Sequence, residues 1–183
     1  MRRSVQIVDR LEYVMFRLMR LFRKDLFKKI LNLGSSTYMF LDCFKGFDKV
    51  AAVRRIFGEK TTEILGKLKV DFTLFSGYMY VDTSNGHLVV SSRYLKTGDK
   101  IDIYLDLIHE LCHVKQFLNG RDLFDQRYRY VERPTEIEAY CYTVQEARRL
   151  GLSNKRICEY LKTEWISKRE FNFLIKALNV SCQ

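Results

Sequence analysis

The sequence predicts an α+β domain in which helices flank a short run of strands. Three observations carry this. Apolar residues recur every three to four positions up to about residue 68, give way to β-branched and aromatic runs over 69–91, and return to helical spacing from 99. A chain of 183 residues is long enough to bury one sizeable core. A single proline and 14% aromatic residues do not describe a disordered chain.

Residues 5–31 read as one long helix, with Val8, Leu11, Met15, Leu18, Phe22 and Leu26 on its apolar stripe and arginines and lysines filling much of the remainder. Gly34 ends it, and Ser35, Ser36 and Thr37 supply turn or cap chemistry. Helices follow over 47–57 and 60–68, with Gly58 as the break. Residues 69–75 and 78–82 read as strands. Thr83-Ser84-Asn85-Gly86 is a hairpin signal, and His87 to Ser91 form the returning strand of a small antiparallel sheet. Thr97-Gly98-Asp99 caps a helix over 99–118, closed by Asn119-Gly120, with Ile101, Leu105, Ile108, Cys112 and Leu118 on its apolar side. An irregular, aromatic and basic connection ends at Pro134. Thr135 then caps a helix over 136–149, which Gly151 ends. Helices over 154–163 and 168–178 complete the chain, the second opening with the capping-box pattern Ser167-Lys168-Arg169-Glu170. They read as a pair covering the core rather than a helix-turn-helix, because no basic recognition face stands out. Without internal repeats or a flexible linker, residues 1–183 read as a single domain: a basic helical part over 1–60, a core over 69–150 and C-terminal helices over 151–183.

The net charge is +10, and residues 1–60 alone carry +8. Such a field favours acidic partners: nucleic acid through basic residues 2–29, an anionic membrane surface, or an acidic protein. A solvated helix face is the plainer alternative. Charged residues interrupt every stretch near the start, so neither a transmembrane segment nor a secretory signal is expected there. Asp9, Glu12 and Asp25 argue against a mitochondrial presequence. Cys43, Cys112, Cys141, Cys158 and Cys182 are odd in number, far apart and without a CxxC, so reduced thiols and a cytoplasmic location are expected.

The chemically informative segment is His109-Glu110-Leu111-Cys112-His113, which holds two of the chain's three histidines. Histidines four apart on a helix lie ~40° apart around its axis, so both imidazoles can reach one metal ion. Glu110 stands beside the first, where its carboxylate can reach a metal-bound water without ligating the metal. Catalytic zinc takes three protein ligands and keeps one position open. No histidine follows His113, so the third ligand should be Glu132, Glu136 or Glu138. Glu132 precedes the proline on a loop. Glu136 and Glu138 lie ~200° apart on the next helix, so only one can face the metal. Glu136 shares its side with Ala139, Tyr140, Thr143 and Ala147, and the small Ala139 lets two helices approach. That side favours Glu136, with Glu138 as the open alternative. Cys112 and Cys141 read as small buried apolar residues. Asp102, Asp106 and Glu110 recur every four residues, a pattern usual for a solvated helix face, and Gln116 reads equally as a cleft residue or a surface amide.

The His109–His113 motif followed by Glu136-Ile137-Glu138-Ala139 resembles the zinc metallopeptidases called gluzincins. The resemblance covers about residues 69–150 and implies a zincin-like core: a small sheet, an active-site helix and a glutamate helix. It implies Zn²⁺ on His109, His113 and Glu136, with Glu110 as general base in the hydrolysis of a protein or peptide substrate, whose backbone would pair with an edge strand expected over 87–91. An oxyanion donor would come from Tyr140, Tyr128, Tyr130 or His87. The family usually carries Asp after the Ala, to orient the first histidine. Here that residue is Tyr140, which leaves Asp106 as a candidate partner for His109. A DNA-associated or regulatory role is one expectation from the basic residues. The alternative is a basic nucleic-acid-binding protein with a structural or catalytically inactive zinc site.

Overall fold

The computed structural model describes residues 36–74 and 77–182, and the basic helix expected over 5–31 lies outside them. The described part is α+β, built on a four-stranded sheet and the helices packed around it. The strands are β1 (Ser36–Met39), β2 (Lys69–Thr73), β3 (Met79–Val81) and β4 (Leu88–Ser91), in the spatial order β1-β2-β4-β3. β1 joins β2 antiparallel, β2 joins β4 parallel, and β3 joins β4 antiparallel. The sheet is therefore mixed, not antiparallel throughout.

The strand expected at the edge over 87–91 is central, and β3 is the edge beside it. Residue chemistry explains the exchange. All four residues of β4 are buried, as befits a strand covered on both faces, whereas β3 alternates and leaves Tyr80 exposed. The Asp82 N–H donates to the His87 carbonyl at 2.9 Å across the expected turn, and the Asp82 carboxylate accepts from the Ser84 N–H and hydroxyl. Ser36 and Thr37, read as turn or cap chemistry, instead open strand β1, where Tyr38 packs edge-on against Phe72 of β2 at 5.8 Å.

The helices are α1 (Phe40–Cys43), α2 (Ala51–Phe57), α3 (Thr61–Lys67), α4 (Ser92–Thr97), α5 (Lys100–Leu118), α6 (Pro134–Leu150), α7 (Asn154–Leu161) and α8 (Lys168–Ala177). Single 3-10 turns cover Phe47–Lys49, Gly58–Lys60 and Tyr130–Glu132. Phe40, Phe44, Phe47 and Tyr104 form an aromatic cluster with neighbouring centroids 5.0–5.9 Å apart. α5 is the axis of the fold and packs against α6, α2 and β3. It starts at Asp99, whose carboxylate accepts from the Ile101 and Asp102 N–H groups. Its middle is buried on nearly every side, from Ile103 to Val114, while Leu118, expected on the apolar side, is exposed.

α6 begins two residues earlier than expected. Pro134 occupies its first position, Arg133 precedes it without a side-chain cap, and the Thr135 hydroxyl caps nothing. Helix α4 escaped the sequence reading because Ser91, the last strand residue, is also its N-cap, so no loop separates the two. The capping box at Ser167 and Glu170 forms as expected. α7 and α8 lie as a pair beside the core, with α8 against the Tyr130–Glu132 turn.

The expectation of five reduced thiols fails at Cys158 and Cys182, which form a disulfide with Cα atoms 5.8 Å apart. Their 24-residue separation matches no motif; the turn between α7 and α8 brings them together. Cys43, Cys112 and Cys141 remain thiols. No helix among the described residues is long and apolar enough to cross a membrane.

The β3–β4 turn locks against α5 at Gly86. This residue has φ of +74°, and a Cβ there would come within 2.4 Å of the Phe117 ring. Gly86→Ala is expected to cost about 1–3 kcal/mol through backbone strain and the displaced ring. A thermal melt compared with wild type checks this.

Candidate metal centre

Two adjacent helices supply the centre. His109 and His113 stand one turn apart in the buried middle of α5, and Glu136 stands in the first turn of α6. Ala139, one turn beyond Glu136 and fully buried, adds no bulk where α6 faces α5. His113 Nε2 lies 3.0 Å from His109 Nε2 and 3.5 Å from Glu136 Oε1, and His109 Nε2 lies 3.2 Å from Glu136 Oε2. All three side chains are buried. Among the described residues they form the one group of three or more His, Cys, Asp or Glu able to share a metal ion, and no fourth such residue joins them.

The electrostatics couple the carboxylate to both imidazoles. Burial works to raise the Glu136 pKa, but the imidazoles of His109 and His113 hold it down at about 2. The start of α6 also favours a negative charge there. Burial opposes charge on His113 too, yet the Glu136 and Glu110 carboxylates push it up to about 9. Burial lowers His109. Glu136 Oε2 remains buried without hydrogen-bond geometry to any described group. Four ligands held tetrahedrally at ~2.0–2.1 Å stand about 3.3 Å apart, and the measured separations of 3.0, 3.2 and 3.5 Å bracket that spacing. The donors therefore fit a small divalent ion bound by two imidazoles and a carboxylate.

Gln116 fixes the second histidine. It is fully buried, so its amide lies inside the structure and not on the surface. Its Oε1 accepts from His113 Nδ1 at 2.7 Å, and its Nε2 donates to the Thr135 carbonyl and to Glu138 Oε2, each at 3.0 Å. Both amide ends are thus assigned by their partners. The Nδ1–H tautomer leaves the Nε2 of a neutral His113 free to ligate. Gln116 also decides between the glutamates: Glu138 faces it, Lys115 Nζ at 3.2 Å and the Arg121 guanidinium, away from the histidines. Glu132 sits half-buried in the 3-10 turn and is outside the group.

His109 has no equivalent support. Asp106 does not orient it: its two oxygens accept from the hydroxyls of Tyr94 at 2.5 Å and Tyr160 at 2.8 Å. His109 Nδ1 is buried without a partner among the described residues. Its ring is held by packing, edge-on to Tyr140 with centroids 4.4 Å apart.

The centre opens on a cleft with two lobes, of about 470 and 210 Å³, which share Met79, His109, Glu110, Tyr130 and Trp165. Glu110 is itself buried. Burial and the neighbouring Glu136 and Asp106 charges push its pKa up to about 8, against the Val81 N–H of β3 and His113. Of the four groups expected as oxyanion donors, Tyr130 and Tyr140 line the cleft, their hydroxyls 3.2 Å apart. Tyr128 does not line it, and His87 is paired with Asp71 at 2.7 Å. Asp102 and Asp106, expected on a solvated face, line the larger lobe. Their spacing with Glu110 was the available signal, since every fourth residue of a helix shares one side.

Two outcomes follow. Gln116→Ala should weaken divalent-metal affinity by about 10–100-fold by releasing the His113 ring, as read by competition with a chromophoric chelator. Below pH 9, ligation must displace the His113 proton. About one proton should therefore be released per ion at pH 7, with affinity rising with pH and levelling above about 9. Titration calorimetry in two buffers of different ionisation enthalpy measures it. Compared with protein-family models, curated proteins and solved structures, the chain matches none.

Proposed function

We propose that this chain is a zinc-dependent peptidase of the gluzincin type, with a zincin-like arrangement of sheet, active-site helix and glutamate helix. The observation that carries this is the meeting of three buried donors and a second carboxylate, Glu110, on one cleft. Two imidazoles and a carboxylate are a donor set suited to zinc. The absence of a fourth donor among the described residues favours a catalytic over a structural ion, since structural zinc is closed by four protein ligands. When bound, the zinc supplies a Lewis acid and a water of lowered pKa.

The chain's own groups supply the remainder. Glu110 accepts the proton of the attacking water on its carboxylate and returns it to the leaving amine. Burial makes that carboxylate a stronger base than an exposed one, and a pKa near neutral serves both halves of the transfer. Burial and the carboxylates around them keep the Tyr130 and Tyr140 phenols protonated, so the pair can donate to a developing oxyanion. Among the described residues β3 is an edge strand, and its Met79, Tyr80 and Val81 line the cleft, which suits a substrate backbone in extended form. Tyr80, Phe124 and Trp165 are exposed along the same cleft, a disposition that fits apolar contact with a polypeptide.

The zinc-loaded protein, incubated with unstructured casein and analysed by mass spectrometry, is expected to generate new peptide termini. Glu110→Gln should lower the rate by about 10²–10⁴-fold while binding the same amount of zinc. Cleavage by the variant at the wild-type rate, or no cleavage by the loaded wild type, would remove the peptidase reading.

A further inference from the structure

The larger lobe of the cleft has a chemistry the proposed reaction does not use. Its floor is Asp106, one helical turn before His109. Asp106 accepts hydrogen bonds from the hydroxyls of Tyr94 and Tyr160, and burial with Asp106 nearby keeps both phenols protonated. With those protons directed at the carboxylate, the oxygens of Asp106, Tyr94 and Tyr160 offer only lone pairs to anything entering the lobe. A wall made of acceptors fits a group that has donors and no acceptor, which among common biological groups means an ammonium or a guanidinium.

The sides of the lobe agree with this. Tyr78 packs edge-on against both Tyr94 and Trp165, with centroids 4.8 and 5.0 Å apart, so aromatic faces stand beside the acceptor wall. Glu159 and Glu164 line the rim, and Lys162, exposed to solvent, is the one lysine or arginine among the described lining residues. Asp102 also lines the lobe but is paired with Arg156. The smaller lobe differs: it is lined by Tyr80, Val81, Leu123 and Phe124. The two sides of the metal centre therefore present opposite chemistry.

The geometry points to a cation-accepting subsite in the larger lobe, formed by Asp106, Tyr94, Tyr160, Tyr78 and Trp165, that takes the side chain of an arginine or lysine beside the reaction centre. Its use as a specificity subsite rests on the peptidase reading; its binding of a cation does not. A free chain terminus carries the same ammonium chemistry, so the test separates the two sources.

Trp165 is the chain's only tryptophan and lies on the lobe, so its fluorescence reports occupancy directly. The metal-free protein is titrated with N-acetyl-arginine amide, with the neutral isostere N-acetyl-citrulline amide, and with norleucine amide, which carries a free α-amine. The arginine probe is expected to give a saturable change with affinity about tenfold or more above that of the citrulline probe. The Glu159→Gln/Glu164→Gln double variant, altered only at the rim, should bind the arginine probe several-fold more weakly with an unchanged circular dichroism spectrum. Preferential binding of norleucine amide would keep the cation site and assign it to a chain terminus instead of a side chain. Equal binding of arginine and citrulline probes, or no saturable change with either, would overturn the inference. Because no bond is cleaved in this experiment, its failure is distinct from failure of the casein assay.

Discussion

Burying two imidazoles and a carboxylate within 3.0–3.5 Å of one another is the constraint around which the helical core is organised. Groups that would be hydrated in water are here enclosed, so their orientation cannot be left to solvent. α5 answers by running through the interior with its middle buried on nearly every side, which places residues four apart on rigid backbone. α6 answers by beginning at Pro134, so that Glu136 falls in its first turn, where the helix dipole favours a carboxylate. Gln116 joins the two. It accepts from His113 on α5 and donates to the Thr135 carbonyl and Glu138 carboxylate on α6, so histidine orientation and helix packing are set together.

That much of the centre was legible in the sequence, because it rests on local periodicity. The spacing of His109 and His113 puts them on one side of any helix, and the small Ala139 beside Glu136 marks the packed side of the next one. Capping at Asp99 and at Ser167 with Glu170 follows equally from short-range chemistry. What escaped depends on contacts distant in sequence. The parallel pairing of β2 with β4, the return of Cys182 to Cys158, and the capture of Asp106 by Tyr94 and Tyr160 each join segments that no local pattern connects. Gln116 lies between these cases. Its position one turn beyond His113 was visible, but its burial was decided by α6.

The sheet shows how one misplaced strand changes the site. With β4 central, the strand edge beside α5 belongs to β3, and β3 brings the exposed Tyr80 to the cleft. The continuous apolar run Leu88-Val89-Val90 was the signal for a central strand, and the alternation Met79-Tyr80-Val81 the signal for an edge. The Val81 N–H of β3 also works to lower the Glu110 pKa, so the strand that faces the cleft acts on the proposed base as well.

The two histidines are not equivalent ligands. Gln116 sets the tautomer of His113, so its ligating nitrogen is defined before any ion arrives. His109 has no such partner among the described residues, and Asp106, one turn earlier on its own helix, accepts from two tyrosine hydroxyls instead. Tyr140 restrains the ring by edge-on packing, which fixes its place without fixing which nitrogen bears the proton. A metal ion on Nε2 would settle that choice itself, at the cost of a buried Nδ1–H with no acceptor among the described residues. The same tyrosines that deny Asp106 to His109 turn it toward the larger lobe. The Asp106 carboxylate is thereby directed to the cleft instead of to His109.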